Sequence, residues 1–148
     1  MSGPLQFLGS FIGGRFVRPR AGRLLVSEDP GDLDNPVGAF VSDPPAVDAA
    51  VDAARRAFPA WRDLPPAKRL AFLRRYQAGL KKRAEGLAWT ISRETGKPLE
   101  ESRAEVRSMA DKVDVTAAEG LPLVAGRAFP LADGTRGRIL YRPRGVAG

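Results

Sequence analysis

The sequence predicts a mixed α/β chain that is mainly helical in its middle, with a β-hairpin near its amino terminus and strands near its carboxyl terminus. Two observations predict this. Apolar residues recur every three or four positions between residues 42 and 119, the spacing of one helix face. From Leu121 onward the spacing changes to two, which is typical of strands. The length of 148 residues, with 43% hydrophobic residues, fits one globular domain.

The amino-terminal region predicts short strands. Residues 11–12 and 16–17 are apolar and flank Gly13 and Gly14, so we expect a hairpin with a glycine turn. The run Leu24-Leu25-Val26 is also β-prone. Turn-forming residues 28–32 follow it, and we expect an irregular crossing up to residue 40.

Four helices are predicted between residues 42 and 119. Ser42 or Asp43 is expected to cap the first helix, which we expect to end at Pro59, and the second follows residues 63–66. The expected apolar faces of these two helices are Val47, Val51, Ala54 and Phe58, and Leu70, Leu73, Tyr76 and Leu80.

The last two predicted helices are separated by glycine and proline. We expect a break near Arg83 and a third helix carrying Leu87, Trp89 and Ile91. Gly96 suits the left-handed position that ends a helix, and Pro98 can open the next one. The fourth helix carries Glu100 and Glu101 in its first turn, where the helix dipole favours negative charge. Its predicted end is given by Gly120 and Pro122.

The carboxyl-terminal region predicts a second hairpin. Leu121, Leu123 and Val124, then Phe129 and Leu131, are expected in strands. The turn lies at residues 133–134, and residues 139–141 form the returning strand. Residues 142–148 resemble a chain that enters a further strand.

The composition excludes several kinds of chemistry. The sequence contains no cysteine and no histidine, so it offers no disulfide, thiol nucleophile, imidazole base or cysteine–histidine zinc site. The glycine-rich phosphate loops and the nucleophile-elbow motif are also missing from the sequence. We therefore assign no catalytic and no cofactor-binding residue to these 148 residues.

The net charge of +7 comes from 24 basic and 17 acidic residues. It allows an alternative function, a noncatalytic basic helical protein that binds a partner or nucleic acid. The basic residues are spread along the chain, which favours solvated faces and no specific nucleic acid. No stretch is long and apolar enough to cross a membrane, and we expect a cytoplasmic protein. The closest basic runs are Arg15, Arg18, Arg20 and Arg23; Arg74, Arg75, Lys81, Lys82 and Arg83; and Arg136, Arg138, Arg142 and Arg144.

Two acidic groups and one residue pair are candidates for a site. Asp29, Asp32 and Asp34 lack the spacing of a calcium loop and indicate a plain loop. The acids of the fourth helix, between residues 100 and 114, indicate a solvated face. Met109 and Lys112 are three residues apart on this helix. They indicate either a core methionine beside a lysine that extends to solvent, or a pocket wall with one cation.

The order of the motifs resembles the aldehyde dehydrogenase family. The hairpin at residues 11–17 resembles its opening strands, and the alanine-rich residues 48–61 resemble its first helix. Residues 94–98, Glu-Thr-Gly-Lys-Pro, match its "E-x-G-K-P" motif, and Glu101 and Glu105 follow as in its next helix. Residues 142–148 resemble the strand that leads to its coenzyme-binding loop. The resemblance covers nearly the whole chain.

The resemblance implies a fold and an activity. The fold is the α/β fold of aldehyde dehydrogenases, with residues 1–120 as the amino-terminal part of the coenzyme-binding domain and 121–148 as strands of the oligomerisation arm and the start of a core strand. Family members oxidise an aldehyde with NAD or NADP through a cysteine thiolate and a glutamate-assisted water, and a homo-oligomer is implied. Those catalytic groups lie beyond the last residue of this chain, so we expect an inactive fragment that binds no coenzyme by itself.

The resemblance also implies a substrate and three site residues. Residues 93–98, 108–113 and 132–145 resemble members that oxidise N-succinylglutamate 5-semialdehyde in arginine catabolism. Glu94 falls where relatives carry an acidic ligand for a structural monovalent cation. Met109 and Lys112 fall on the helix that lines the substrate tunnel, and Lys112 is expected to face the substrate's carboxylates.

Overall fold

A computed structural model describes residues 5–19 and 21–147; Arg20 of the first basic run and Gly148 of the last motif lie outside the described residues. Within that part of the chain, short strand pairs flank a central run of helices, as the sequence predicts. The strands are β1 (Ser10–Ile12), β2 (Arg15–Val17), β3 (Leu24–Ser27), β4 (Gly38–Val41), β5 (Arg127–Pro130) and β6 (Arg136–Ile139). The helices are α1 (Ala46–Asp63), α2 (Pro66–Lys82), α3 (Ala84–Thr95), α4 (Leu99–Val115), a π-helical turn (Thr116–Gly120) and the single turn α5 (Leu121–Leu123).

The described strands form three separate antiparallel pairs. The predicted hairpin β1–β2 is confirmed, with Ser10 opposite Val17 and positive φ angles at Gly13 and Gly14. The strand β3 pairs with β4, where the sequence predicts only an irregular crossing. That prediction is wrong because β4 contains small residues with no clear alternation and becomes a strand through its partner β3. A hairpin β5–β6 with its turn at Gly134, which has a positive φ, is confirmed. Its strands lie earlier than predicted, so Leu131, Leu140 and Tyr141, expected in strands, lie outside them.

The helices α2, α3 and α4 form the packed centre of the described chain. Helix α4 lies between the other two and turns toward them a buried stripe of Ser102, Val106, Ala110 and Val113. Ala88 of α3 is completely buried. Small residues at these positions let the helices approach closely, and burying a side chain such as Val106 contributes about 1.5–3 kcal/mol.

The start and the end of α1 differ from the prediction. Neither Ser42 nor Asp43 caps the helix with its side chain; the main-chain carbonyl of Asp43 accepts a hydrogen bond from Ala46 N instead (3.0 Å). Pro59 lies inside the helix, which continues to Asp63. A proline lacks the N–H that would bond the carbonyl four residues back. Because α1 has no buried residue, water can bond that carbonyl, and the helix tolerates the proline.

The end of the fourth helix also differs from the prediction. Gly120 has helical angles (φ −72°, ψ −44°), and the chain stays helical through the π-helical turn and α5. Pro122 does not break it because it lies in the first turn of α5, where its missing N–H is not needed. Residues 121 and 123 are therefore helical and Val124 lies outside any strand. No regular secondary structure forms across residues 142–147, where the sequence suggests a further strand.

Much apolar surface lies open to solvent. The accessible surface is 11632 Å², whereas a compact monomer of this mass exposes about 7,400 Å². Val47 of α1 is 60% exposed and Tyr76 of α2 is 57% exposed, although both belong to predicted apolar faces. Large exposed apolar faces are typical of surfaces that another part of a protein or a partner covers. Among the described residues, no helix is both long and apolar enough to cross a membrane.

Candidate functional site

Glu94 lies at the last turn of α3, beside the end of β3. Its Oε1 atom accepts a hydrogen bond from the Ser27 hydroxyl (2.7 Å). The side chains of both residues line an open cleft of about 260 Å³ together with Phe7, Val37, Phe40 and Thr90. Within the described chain the Glu94 carboxylate forms no ion pair. A carboxylate and a hydroxyl oxygen are hard ligands of the kind that alkali and alkaline-earth cations bind, so these two groups fit a cation site in donor type.

Arg93, the neighbour of Glu94, holds the loop between β3 and β4 against α3. Its Nε donates to Asp29 Oδ2 (2.8 Å), and its Nη2 donates to the carbonyl oxygens of Asn35 (2.6 Å) and Pro36 (3.4 Å). The side chains of Arg93 and Asp29 are only 22% and 13% exposed. The bond from Arg93 lowers the pKa of Asp29, and the Gly31 N–H lowers it further. We call this arrangement, Arg93 with Asp29 and the two carbonyls, the loop clamp.

The Glu-Thr-Gly-Lys-Pro motif forms the corner between α3 and α4. Gly96 ends α3 in the left-handed conformation (φ 69°), as predicted. A Cβ atom at this glycine would lie 2.8 Å from Cγ of Pro30, in the loop held by Arg93. The Ser92 hydroxyl donates to the Lys97 carbonyl (2.7 Å), and the Lys97 ammonium pairs with Glu105 of α4 (2.5 Å). The motif therefore joins three segments: the β3–β4 loop, α3 and α4.

Met109 and Lys112 lie side by side on the exposed side of α4. Met109 is 38% exposed and lies outside the core of the described residues. Ala110 and Val113, the next residue after each, occupy the buried stripe instead. Lys112 forms no ion pair within the described residues. The pair presents one apolar side chain and one free positive charge to solvent. Among the described residues, no contact joins Met109 or Lys112 to Glu94.

The acids of α4 form a solvated face, as predicted. Asp114 pairs with Arg74, Glu105 with Lys97, and Glu100 with Arg103. The acids Asp29, Asp32 and Asp34 lie in a loop of turns, also as predicted. Across the part of the chain that the structure describes, no group of three acids, histidines or cysteines is arranged to hold a metal ion.

Sequence reasoning missed Gln77, which joins α2 to α4. Its Nε2 donates to the Ala110 carbonyl (3.0 Å) and to Asp114 Oδ2 (2.6 Å), and Arg74 donates to its Oε1 (3.1 Å). Gln77 is 6% exposed, so Gln77, not Tyr76, completes the inner face of α2. Bonds from Arg74 and then Gln77 lower the pKa of Asp114. The sequence did offer one signal for the burial of Gln77, because this residue lies at helical spacing from Leu70, Leu73 and Leu80.

Comparisons with known proteins agree on one family. The profile of the aldehyde dehydrogenase family matches residues 20–148. The chain is 45% identical, over 140 residues, to N-succinylglutamate 5-semialdehyde dehydrogenase of Burkholderia mallei. It is 48% identical, over 108 residues, to N-succinylglutamate 5-semialdehyde dehydrogenase 2 of Caulobacter vibrioides.

These matches cover most of this chain and a smaller part of the relatives. They span 92% and 73% of this chain but 28% and 22% of the two enzymes. An NAD-dependent aldehyde dehydrogenase of Sinorhizobium meliloti has the same arrangement, with a TM-score of 0.76 and 28% identity over 87% of this chain and 26% of that one. The family profile and the shared arrangement of helices and strand pairs lead to one conclusion: this chain belongs to the aldehyde dehydrogenase family.

Proposed function

We propose that this chain is the amino-terminal part of an NAD- or NADP-dependent enzyme that oxidises N-succinylglutamate 5-semialdehyde to N-succinylglutamate in arginine catabolism. One observation carries the proposal. Identity is 45–48% to two relatives named for this substrate, against 28% to the Sinorhizobium aldehyde dehydrogenase, which is named only for its coenzyme and general activity. This difference in identity favours N-succinylglutamate 5-semialdehyde as the substrate.

In this proposal the present residues support the reaction and do not perform it. The sequence contains no cysteine, which the family reaction uses as its nucleophile. The described strands form only two-stranded antiparallel pairs, and these residues fit no coenzyme site because the glycine-rich phosphate loop is missing from the sequence. We therefore assign no chemical step of the family reaction and no coenzyme contact to this chain, and we expect it to be inactive alone. The cytoplasmic location expected from the sequence stays a prediction.

The substrate's charge suggests a role for Lys112. N-succinylglutamate 5-semialdehyde carries two carboxylates besides its aldehyde, and Lys112 offers a positive charge without a partner among the described residues. Met109 beside it would supply an apolar wall. We expect Lys112→Ala in the complete gene product to raise KM about tenfold with little change in kcat, as loss of uniform substrate binding does.

Two variants make this test specific. Lys112→Arg keeps the charge and should retain most of the affinity, while Lys68→Ala removes an exposed lysine of α2 and should leave KM unchanged. An unchanged KM in Lys112→Ala would overturn the role of Lys112.

We also propose that residues 121–148 contribute to an oligomerisation arm. The hairpin β5–β6 supports this, because β5 is exposed along its whole length and an isolated two-stranded hairpin is only marginally stable in water. Light scattering of the complete gene product should give a dimer or a tetramer. A monomer at micromolar concentration would contradict the proposal.

The Glu94 carboxylate is proposed to supply one ligand to a monovalent cation. The oxygen donors of Glu94 and Ser27 suit such an ion, and the carboxylate has no competing ion pair within the described chain. The cation would neutralise the carboxylate and hold α3 and β3 together at this point. Glu94→Gln should then remove any stabilisation of the protein by potassium or sodium.

The main experiment measures coenzyme reduction. The complete gene product should reduce NAD or NADP with N-succinylglutamate 5-semialdehyde, followed at 340 nm, and should be much less efficient with an aldehyde of equal length that lacks carboxylates. Equal efficiency with both aldehydes would contradict the substrate assignment. The isolated 148-residue chain is the matched control, and coenzyme reduction by it would refute the expectation of inactivity.

A further inference from the structure

We propose that Arg93 is a positioning residue for the cation site, and that its pairing with Asp29 sets the affinity of Glu94 for a monovalent cation. This inference rests on the proposed cation role of Glu94 and goes beyond it, because Arg93 and Asp29 bond to each other and would act on the site without being ligands.

The first step is mechanical. Ser27, whose hydroxyl donates to Glu94, is the last residue of β3, and the loop that follows it reaches β4 at Gly38. The loop clamp fastens this loop to α3 at both of its ends, at Asp29 and at residues 35 and 36. Fastening the loop keeps Ser27 beside Glu94, so the two oxygen donors stay together.

The second step is electrostatic. Arg93 is the immediate neighbour of Glu94 and carries a charge that would compete with any cation for that carboxylate. In the structure its guanidinium bonds to Asp29 and to two carbonyls. Asp29 thus neutralises Arg93 and directs it away from Glu94, so the Glu94 charge remains available. The low exposure of both clamp side chains (22% and 13%) reduces the screening of this effect by solvent.

Because the clamp acts in both ways, we expect substitution of either Arg93 or Asp29 to weaken cation binding. Arg93→Gln releases the loop. Asp29→Asn leaves the arginine in place with its charge uncompensated next to Glu94. Arg93→Lys keeps the charge but loses the fork of donors that reaches a carboxylate and two carbonyls at once. All three variants should bind the cation more weakly, although Arg93→Gln lowers the net charge beside Glu94, Asp29→Asn raises it and Arg93→Lys leaves it unchanged.

The experiment follows the thermal midpoint of the complete gene product against potassium concentration. Choline chloride keeps the ionic strength constant. A ligand that binds only the folded state raises the midpoint from near its half-saturating concentration, and above that concentration the midpoint rises with the logarithm of the ligand concentration. We expect each variant to raise the half-saturating potassium concentration at least tenfold, the change that about 1.4 kcal/mol of binding energy produces. Without potassium each variant should differ from the unmodified protein only by the loss of the clamp's own hydrogen bonds, and this gap should widen as potassium is added until it reaches a constant value well above both dissociation constants. A purely structural role would lower the midpoint equally at every concentration.

The outcomes separate the two proposals. Arg103→Gln, which breaks an exposed ion pair with Glu85 elsewhere on α3 and α4, should leave the half-saturating concentration unchanged. If the unmodified protein shows no potassium response, the cation role of Glu94 fails, and this inference fails with it. If it responds but Asp29→Asn and Arg93→Lys have unchanged half-saturation, the inference is overturned while the role of Glu94 stands. Should Arg93→Gln not fold, those two milder variants decide the question.

Discussion

Replacing Gly96 with alanine should destabilise the protein through two separate effects. The residue has a φ of 69°, where an L-residue with a Cβ atom is strained by about 1–2 kcal/mol. The new Cβ would also lie 2.8 Å from Pro30 Cγ. Since a proline ring cannot rotate away, the loop held by Arg93 must move. Overpacking of this kind costs about 1 kcal/mol or more, so we expect a total loss of about 2–3 kcal/mol.

Two other glycines separate these effects. Gly13 also has a positive φ, 58°, but open space around its missing Cβ, so Gly13→Ala should show the strain alone, about 1–2 kcal/mol. Gly79 lies inside α2, where an added Cβ would make only an ordinary contact of 3.7 Å with Arg83. Gly79→Ala should therefore stabilise the helix by about 0.5–1 kcal/mol.

The assay is urea unfolding of the complete gene product, with the free energy of unfolding compared among the three variants. Adding Pro30→Ala to Gly96→Ala should recover the part of the loss that comes from the clash. The reasoning would be refuted if Gly96→Ala were no more destabilising than Gly13→Ala, or if Pro30→Ala gave no recovery in that background.

Two further predictions concern polar side chains that join separate segments of the chain. Gln77→Ala should lower the free energy of unfolding by about 1–2 kcal/mol, because it removes hydrogen bonds between α2 and α4. Lys68→Ala, at an exposed position of the same helix, should change it by less than about 0.5 kcal/mol, and equal effects in urea unfolding would contradict the packing of Gln77. Asp29 has a lowered pKa in the folded state, so its contribution to stability is present above its ordinary pKa of 3.8 and is lost as the pH falls through its folded pKa. The stability difference between the unmodified protein and Asp29→Asn should therefore be constant near pH 7 and shrink below about pH 4; a difference that persists at pH 2 would rule out this explanation.

The parts of the fold that could be predicted are those with local causes. Gly96 and Pro98 mark the corner between α3 and α4 because left-handed geometry and a missing N–H act within a few residues. The hairpin around Gly13 and the turn at Gly134 are predictable for the same reason. The helical identity of residues 121–123 was missed because Pro122 looks like a helix breaker until its position in the first turn is known.

The parts that could not be predicted depend on contacts distant in sequence. The strand β4 forms through pairing with β3, and the burial of Gln77 depends on Ala110, 33 residues away. The loop clamp joins Arg93 to Asp29, 64 residues away, and no pattern in the sequence predicts this pairing. Of the candidate site, the position of Glu94 was therefore available from the motif, while the residues that hold its surroundings were not.

The open apolar faces and the missing catalytic chemistry support one interpretation of what these residues do. Helix α1 has an apolar face at helical spacing and yet no buried residue, and the accessible surface exceeds that of a compact monomer by roughly 4,000 Å². At about 25 cal/mol per Å², covering even a quarter of that excess with apolar contacts would contribute more free energy than any single ion pair at the surface. We therefore expect burial of these faces to contribute more to the stability of this part of the family fold than the contacts at Glu94 and Arg93 do.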